Sequence, residues 1–164
     1  TAAGEGRPAL VSVFGGKLTS YRSLAEKVMK RLGPALGFRR GPWTAEVPLP
    51  GGDLPAGGLE ALVDSLRGER PGFALDFLLA LTRRHGTLAA EILGDAREPA
   101  DLGEDFGGGL REKEVRWFVE REWARTLEDV LWRRTKAGLH ATQVQRERLR
   151  TFLGGENEGR SGTR

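Results

Sequence analysis

The chain has 164 residues, with 26 basic and 23 acidic side chains, a net charge of +3 at pH 7 and no cysteine. The lack of cysteine excludes disulfides, thiolate metal sites and a cysteine nucleophile, and it fits a reducing compartment. The apolar runs are too short to span a bilayer, and no signal-peptide pattern is visible. Since the first residue is Thr1 and not methionine, we expect a piece of a longer protein.

The opening of the chain predicts a strand, a glycine turn and a helix. Leu10–Phe14 is a short run rich in apolar, β-branched and aromatic residues, as in a buried strand, and Gly15-Gly16 ends it. Apolar residues then recur at helical spacing from Tyr21 to Leu32. Gly33-Pro34 is expected to stop this helix.

The remainder of the chain predicts helices. Prolines and glycines concentrate in residues 33–58, which we interpret as an extended connection. Helical apolar stripes follow in residues 59–153, with helix caps expected at Thr87, Thr126 with Asp129, and Thr142 with Gln145. Residues 154–164 are glycine-rich and polar, and we expect them to be disordered. The predicted fold is therefore mainly α, with five or six helices preceded by one orphan strand and a glycine turn.

The segment Gly15-Gly16-Lys17-Leu18-Thr19 is the clearest candidate for ligand binding. It is not a phosphate-binding P-loop, because Val11 stands where that motif needs another glycine. A glycine turn before a helix nevertheless presents free N–H groups and the positive end of the helix dipole, to which Lys17 adds a charge. Such a corner suits an anion or an electron-rich carbonyl. The alternative is an ordinary turn with an exposed lysine.

Other residue types give weaker signals. His85 and His140 have no carboxylate or cysteine at metal-ligand spacing, so each is interpreted as a helix-end residue. The four tryptophans are interpreted as core or half-buried packing. The basic run 132–136 is interpreted mainly as a helix C-terminus with favourable cations. Of its arginines, Arg133 and Arg134, we expect one to pair with Glu122 or Asp129 and the other to face solvent or another domain.

Several segments together resemble one enzyme family. Ser12 to Arg22, with Gly-Gly-Lys-Leu-Thr-Ser-Tyr-Arg at its end, is similar to the end of the FAD domain in bacterial aerobic FAD-dependent glycerol-3-phosphate dehydrogenases. Ser20 replaces a threonine that is usual there and keeps the hydroxyl. The resemblance continues to about Phe152, in these segments: Trp43-Thr44, residues 48–53, 101–103, Phe106-Gly107, Glu114-Val115, 122–124 and 128–136.

The resemblance implies a function that this chain cannot perform alone. The family oxidises sn-glycerol 3-phosphate to dihydroxyacetone phosphate, passing a hydride to FAD and electrons to quinone, at the inner membrane and on its cytoplasmic side. Residues 1–32 would be a remnant of a truncated FAD domain, in which Gly15, Gly16, Lys17, Leu18 and Thr19 contact the cofactor. Lys17 would serve either the flavin or the substrate phosphate.

The missing N-terminal FAD domain carries the Gly-x-Gly-x-x-Gly unit that holds the pyrophosphate. We therefore expect the isolated chain not to retain FAD and not to be active, and we assign no catalytic residue and no metal. The residues leave open whether the helical domain covers the FAD domain, forms a homodimer contact or docks an electron acceptor. The alternatives are a freestanding helical interaction module and, with weaker support, an arginine-rich nucleic-acid binder. The interpretation as part of a glycerol-3-phosphate dehydrogenase implies no nucleic-acid partner.

Overall fold

The computed structural model describes residues 8–38 and 40–161, and the side chains as far as residue 155. The chain divides into two compact units, Thr1–Leu49 and Pro50–Arg164. The division falls inside the predicted connection 33–58. Each unit is described by itself.

The first unit contains one long helix. A short 3-10 helix, Leu18–Ser20, leads directly into α1, Tyr21–Leu36. Gly37 ends α1 in the left-handed conformation, at φ 67°, and the Phe38 N–H bonds to the Gly33 carbonyl. Among residues 8–38 and 40–49, only Gly33 is buried.

Two expectations for the first unit were wrong. Residues 8–17 contain no strand, because a strand needs a hydrogen-bonded neighbour and no described segment pairs with Leu10–Phe14. The helix also continues past Gly33-Pro34 to Leu36. Proline removes one N–H and its bond, but near the end of a helix this loss affects only the last turn.

The second unit is built from five α-helices and a small hairpin. The helices are α2 Gly58–Glu69, α3 Leu75–His85, α4 Ala89–Leu93, α5 Glu112–Arg121 and α6 Gln143–Ser161. Short 3-10 helices occupy Gly86–Leu88, Pro99–Leu102 and Ala137–Leu139, and Asp129–Arg134 forms a π-helix. Strands β1 Asp105–Gly107 and β2 Leu110–Arg111 pair antiparallel. The predicted mainly α class is confirmed.

Two apolar clusters form the interior of this unit. The first joins α2, α3 and α4 through residues such as Val63, Leu78 and Leu93. The second joins the hairpin, α5, the π-helix and α6 through Phe106, Phe118, Leu131 and Leu149, among others. Trp117 on α5 packs against both. The stripes that the sequence shows at helical spacing supply these contacts.

Two further details differ from expectation. α6 runs to Ser161, so residues 154–161, expected to be disordered, are helical; residues 162–164 lie outside the described part. A helix that is already nucleated by a buried stripe can extend through poor helix formers. Thr87 does not cap a helix; its hydroxyl donates instead to Asp53 at 2.5 Å.

We predict that Gly86→Ala destabilises the chain much more than Gly109→Ala. Both glycines have positive φ, 57° and 75°, but a Cβ at Gly86 would overlap the Gly51 carbonyl, whereas one at Gly109 meets nothing within 4 Å. Backbone strain alone costs about 1–3 kcal/mol, and the overlap at Gly86 should add about 2 kcal/mol or more. Urea unfolding of both variants measures this. Equal losses would contradict the Gly51–Gly86 packing.

Candidate functional site

The glycine turn at Gly15-Gly16 redirects the chain into the first helix. The two residues have φ values of 77° and 122°, which favour glycine. Lys17 is extended, at φ −90° and ψ 146°, and the 3-10 helix begins at Leu18. Both the Ser20 N–H and the Ser20 hydroxyl donate to the Lys17 carbonyl, at 3.0 and 2.9 Å. The hydroxyl therefore holds the turn, which gives a physical reason for serine or threonine there.

This corner is open to a ligand. Leu18 is 89% exposed, Lys17 and Thr19 are also exposed, and a Cβ at Gly15 would meet nothing within 4 Å. Lys17 has no carboxylate partner in the described part of the chain. The residues fit an anionic or electron-rich edge that approaches the start of a helix. They provide one contact and no enclosing pocket. Their role in cofactor or substrate binding stays a prediction.

Within the same unit, the Trp43-Thr44 segment is tied to α1. The Thr44 hydroxyl donates to Glu26 at 2.5 Å, and Arg22 contacts both Glu26 and Thr44 at 3.2 Å. The hydrogen bond from the Thr44 hydroxyl, and to a smaller extent the charge of Arg22, hold the pKa of Glu26 below its ordinary value. Two of the sequence segments that carry the family resemblance are therefore in contact here.

The second unit contains a buried ionic cluster that sequence reasoning missed. Glu114 on α5 has a side chain only 2% exposed. Arg84 on α3 donates to both of its carboxylate oxygens, through Nε at 2.7 Å and Nη2 at 2.9 Å. His85 Nε2 lies 2.8 Å from Glu114 Oε1. Two cationic or polar partners thus satisfy one buried carboxylate.

The cluster extends towards the π-helix through Glu122. His85 Nδ1 lies 3.8 Å from a Glu122 carboxylate oxygen, to which Trp117 Nε1 donates at 3.1 Å. Arg134 donates to the Glu122 backbone carbonyl through Nε at 3.1 Å and Nη2 at 2.5 Å. The cluster thereby connects α3, α5 and the π-helix.

The helix-end interpretation of His85 located the residue correctly but not its contacts. His85 follows Leu78, Leu81 and Thr82 on the buried face of α3, and Glu114 lies on the buried face of α5 with Val115 and Phe118. The sequence did contain a signal for this contact, because a titratable side chain interrupts the apolar stripe of α3 at His85 and that of α5 at Glu114. His140 lies at the end of the 3-10 helix Ala137–Leu139 and is exposed.

The predicted caps at Thr126 and Thr142 are confirmed. Asp129 accepts from the N–H groups of Arg125 and Thr126 at 2.9 and 3.0 Å, and the Thr126 hydroxyl accepts from the Asp129 N–H. Gln145 and Thr142 bond reciprocally in the same way. The prediction for the two arginines was wrong in one respect, because both have partners.

Both proposed partners of the arginines are used. Arg133 pairs with Asp129 at 2.7 Å while staying largely exposed, and the less exposed Arg134 takes the Glu122 carbonyl and lies 3.6 Å from its carboxylate. The tryptophan interpretation holds for Trp117, which is partly buried, whereas Trp123 is 78% exposed with φ 58°. Within the described residues, no group of three histidines or carboxylates could hold a metal ion.

Comparison with known proteins assigns the chain to a family. Residues 42–153 match the family described as the C-terminal domain of alpha-glycerophosphate oxidase, and the chain belongs to that family. It is 42% identical over 97% of its length to a glycerol-3-phosphate dehydrogenase of Pseudomonas aeruginosa, and 38% identical over 90% to the aerobic glycerol-3-phosphate dehydrogenase of Escherichia coli. A D-erythritol 1-phosphate dehydrogenase of Brucella abortus is 40% identical over 84% of the chain.

The chain spans only about a third of these relatives, covering 31%, 29% and 27% of their lengths in the same order. The resemblance inferred from the sequence segments is confirmed at the level of the family. Among the described residues, no helix has the length and apolar character that crossing a bilayer requires.

We predict that Glu114→Gln destabilises the chain by about 3–5 kcal/mol, the usual cost of removing one partner from a buried ion pair. Glu147→Gln is the matched control, because Glu147 pairs with Arg150 where both side chains are more than half exposed, and such pairs contribute about 0–1 kcal/mol. Urea unfolding at neutral pH compares the two. A loss at Glu114 no larger than that at Glu147 would show that the cluster does not stabilise the fold.

We also predict that Asp129 contributes stability that is lost in acid. The Arg125 and Thr126 N–H groups, ahead of Arg133, hold the pKa of Asp129 well below its ordinary 3.8. The unfolded chain therefore binds this proton first, so the contribution is complete above the unfolded pKa and declines as pH falls towards the folded one.

Asp129→Asn should consequently flatten the decline of the urea midpoint between about pH 5 and about pH 2.5. Asp64→Asn is the control of equal charge, since Asp64 is exposed on α2 and makes no side-chain hydrogen bond in the described part. If both variants lose the same slope, Asp129 has no special share in acid unfolding.

Proposed function

We propose that this chain works as the C-terminal part of an FAD-dependent dehydrogenase that oxidises sn-glycerol 3-phosphate. One observation carries the proposal, the 42% identity over 97% of the chain to the Pseudomonas aeruginosa glycerol-3-phosphate dehydrogenase. The matched region includes the helical domain and extends beyond it towards the glycine corner, so the likeness is not limited to a common helical fold.

The surface of the first unit supports an association with further protein. Phe14 is 94% exposed, and a series of apolar side chains is also exposed: Leu10, Val13, Leu18, Tyr21, Leu36 and Leu49. A monomeric protein rarely leaves so many large apolar groups in water. The first unit has no core of its own among the described residues, which fits a segment that completes a larger FAD-binding domain.

In that enzyme, bound FAD would accept the hydride that leaves the C2 carbon of the substrate. The chain's own contribution is the corner at Gly15–Thr19. Its two glycines have no side chains, so a ligand can come close to the backbone of the turn. The helix start offers N–H donors, and Lys17 offers a positive charge. Such fixed donors stabilise negative charge on a cofactor edge or on a phosphate. Both roles for Lys17 remain within the proposal.

The substrate has a second candidate. The 40% identity to a D-erythritol 1-phosphate dehydrogenase is close to that of the glycerol-3-phosphate enzymes. Both compounds are polyol phosphates, and the phosphate is the group that a fixed cation recognises in either. The proposal also includes transfer of electrons to quinone, a peripheral position at the inner membrane and, as one of the roles open to the helical domain, a homodimer contact; these parts rest on the family resemblance alone.

A chimera tests the proposal, with this chain replacing the matched segment of the Pseudomonas aeruginosa enzyme. We expect a yellow protein that reduces an artificial electron acceptor when sn-glycerol 3-phosphate is added, while the isolated chain binds no FAD. Lys17→Ala in the chimera should lower kcat/KM by roughly 30- to 1000-fold, as expected for a lost charged contact in a closed site.

Lys30→Ala is the matched control, because Lys30 is exposed on α1 and the substitution removes the same positive charge as Lys17→Ala. A loss mainly in KM would assign Lys17 to the phosphate, and a lowered flavin potential would assign it to the cofactor. A folded, FAD-containing chimera that oxidises only D-erythritol 1-phosphate would favour the second substrate. Equal kinetics in the two lysine variants would remove Lys17 from the site.

A further inference from the structure

A basic cleft lies in the second unit, at the end of the π-helix. It has a volume of about 410 Å³, and five basic side chains line it: Arg84, Arg133, Arg134, Lys136 and His140. All of its lining residues belong to unit 2. The cleft plays no part in the proposed function, and the inference below does not rest on that proposal.

Contacts with carboxylates and carbonyls hold the arginines of the cleft in position. Arg84 uses Nε and Nη2 for Glu114, and Arg134 uses the same two groups for the Glu122 carbonyl. In the part of the chain that the structure describes, Nη1 of each makes no hydrogen bond and stays available as a donor. Guanidinium groups fixed in this way lose little freedom when an anion binds.

The charges of the cleft do not cancel. Glu114, Glu122 and Asp129 lie beside Arg84, Arg134 and Arg133 in that order. Lys136 has no carboxylate partner among the described residues, and its ammonium donates to the Trp132 carbonyl. The uncompensated positive charge of the cleft is therefore carried by Lys136, with the exposed Arg133 and His140 nearby on the lining.

The size and floor of the cleft indicate more than a bare ion. Leu110 and Ala137 are buried side chains that also line it, and Gly108 contributes backbone without a side chain. A cleft of about 410 Å³ with apolar and basic walls has the volume of a site for a small organic molecule. Arginine and lysine together suit a phosphate group, which accepts several charged hydrogen bonds.

We propose that this cleft binds a small phosphorylated compound, with Lys136 and Arg133 contacting the phosphate and the free Nη1 donors of Arg84 and Arg134 completing the site. The phosphate is placed over the C-terminal end of the π-helix, where the cations rather than the helix dipole attract it. The organic part of the ligand lies against Leu110 and Ala137.

Calorimetric titration of the 164-residue chain at low ionic strength tests the site. The titrants are glycerol 2-phosphate, inorganic phosphate and, as a control for a general effect of salt, sodium chloride. We expect saturable binding of one glycerol 2-phosphate per chain, tighter than that of inorganic phosphate. Lys136→Met should weaken it by about tenfold or more, the effect of losing one charged hydrogen bond. Lys30→Met, which changes the net charge equally, should leave it within about twofold.

A second pair of variants removes dependence on one lysine. Arg133→Gln should weaken binding by about tenfold, and Arg150→Gln, at an exposed position on α6, should not. Thermal melting shows whether each variant is folded. Equal loss in the cleft and control variants, or the same response to sodium chloride as to phosphate, would overturn the proposal.

The experiment also separates this cleft from the glycine corner. Binding that is lost in Lys17→Met and unchanged in Lys136→Met would place the phosphate at the corner and overturn the assignment to the cleft. Vesicles containing phosphatidic acid present the same phosphomonoester on a lipid surface. If they bind through Lys136 more tightly than glycerol 2-phosphate, the ligand of this phosphate site is a lipid headgroup.

Discussion

The buried carboxylate of Glu114 is the constraint on which the second unit depends. A carboxylate in this position is costly unless charged hydrogen bonds compensate it, and Arg84 and His85 provide them. Both partners lie at the C-terminal end of α3, whereas Glu114 lies in the first turn of α5. The requirement for all three contacts therefore fixes how α3 approaches α5, and with it how the two apolar clusters meet.

The π-helix extends the same arrangement to the C-terminal part of the unit. The Thr135 N–H and hydroxyl both donate to the Val130 carbonyl, five residues earlier, at 3.1 and 2.7 Å. This wider turn brings Arg134 to Glu122 while Asp129 closes the N-terminal end. π-helical turns are rare and are frequent at functional sites. Here the turn also lines the basic cleft, so its unusual geometry serves both packing and the exposure of cations.

Local patterns predicted those elements whose causes are local. The caps at Thr126 and Thr142 follow from side chains that bond backbone groups three residues away, and the apolar stripes follow from helical periodicity. The glycine turn before α1 was predictable because only glycine adopts such φ values easily. The family resemblance was also readable, since it rests on ordered segments of sequence.

Features that depend on long-range contacts were not predictable in the same way. The segment Leu10–Phe14 has the composition of a strand but no hydrogen-bonded neighbour in the described residues, so it forms no strand there, and composition cannot supply a neighbour. Glu114 lies 29 residues from His85 along the chain, so only the packing of α3 on α5 reveals their contact. The role of Thr87 was missed for the same reason, because its partner Asp53 is 34 residues away.

The two units differ in a way that bears on the competing interpretation, a freestanding helical module. That interpretation accounts for the second unit, which buries two clusters and satisfies its internal charges. It does not account for the first, where Phe14 and Leu18 are almost fully exposed beside a helix with one buried residue. Covering apolar groups of this kind with another protein surface lowers the free energy. The ionic cluster thus satisfies the buried charges of the C-terminal unit internally, while the N-terminal unit leaves large apolar side chains in water.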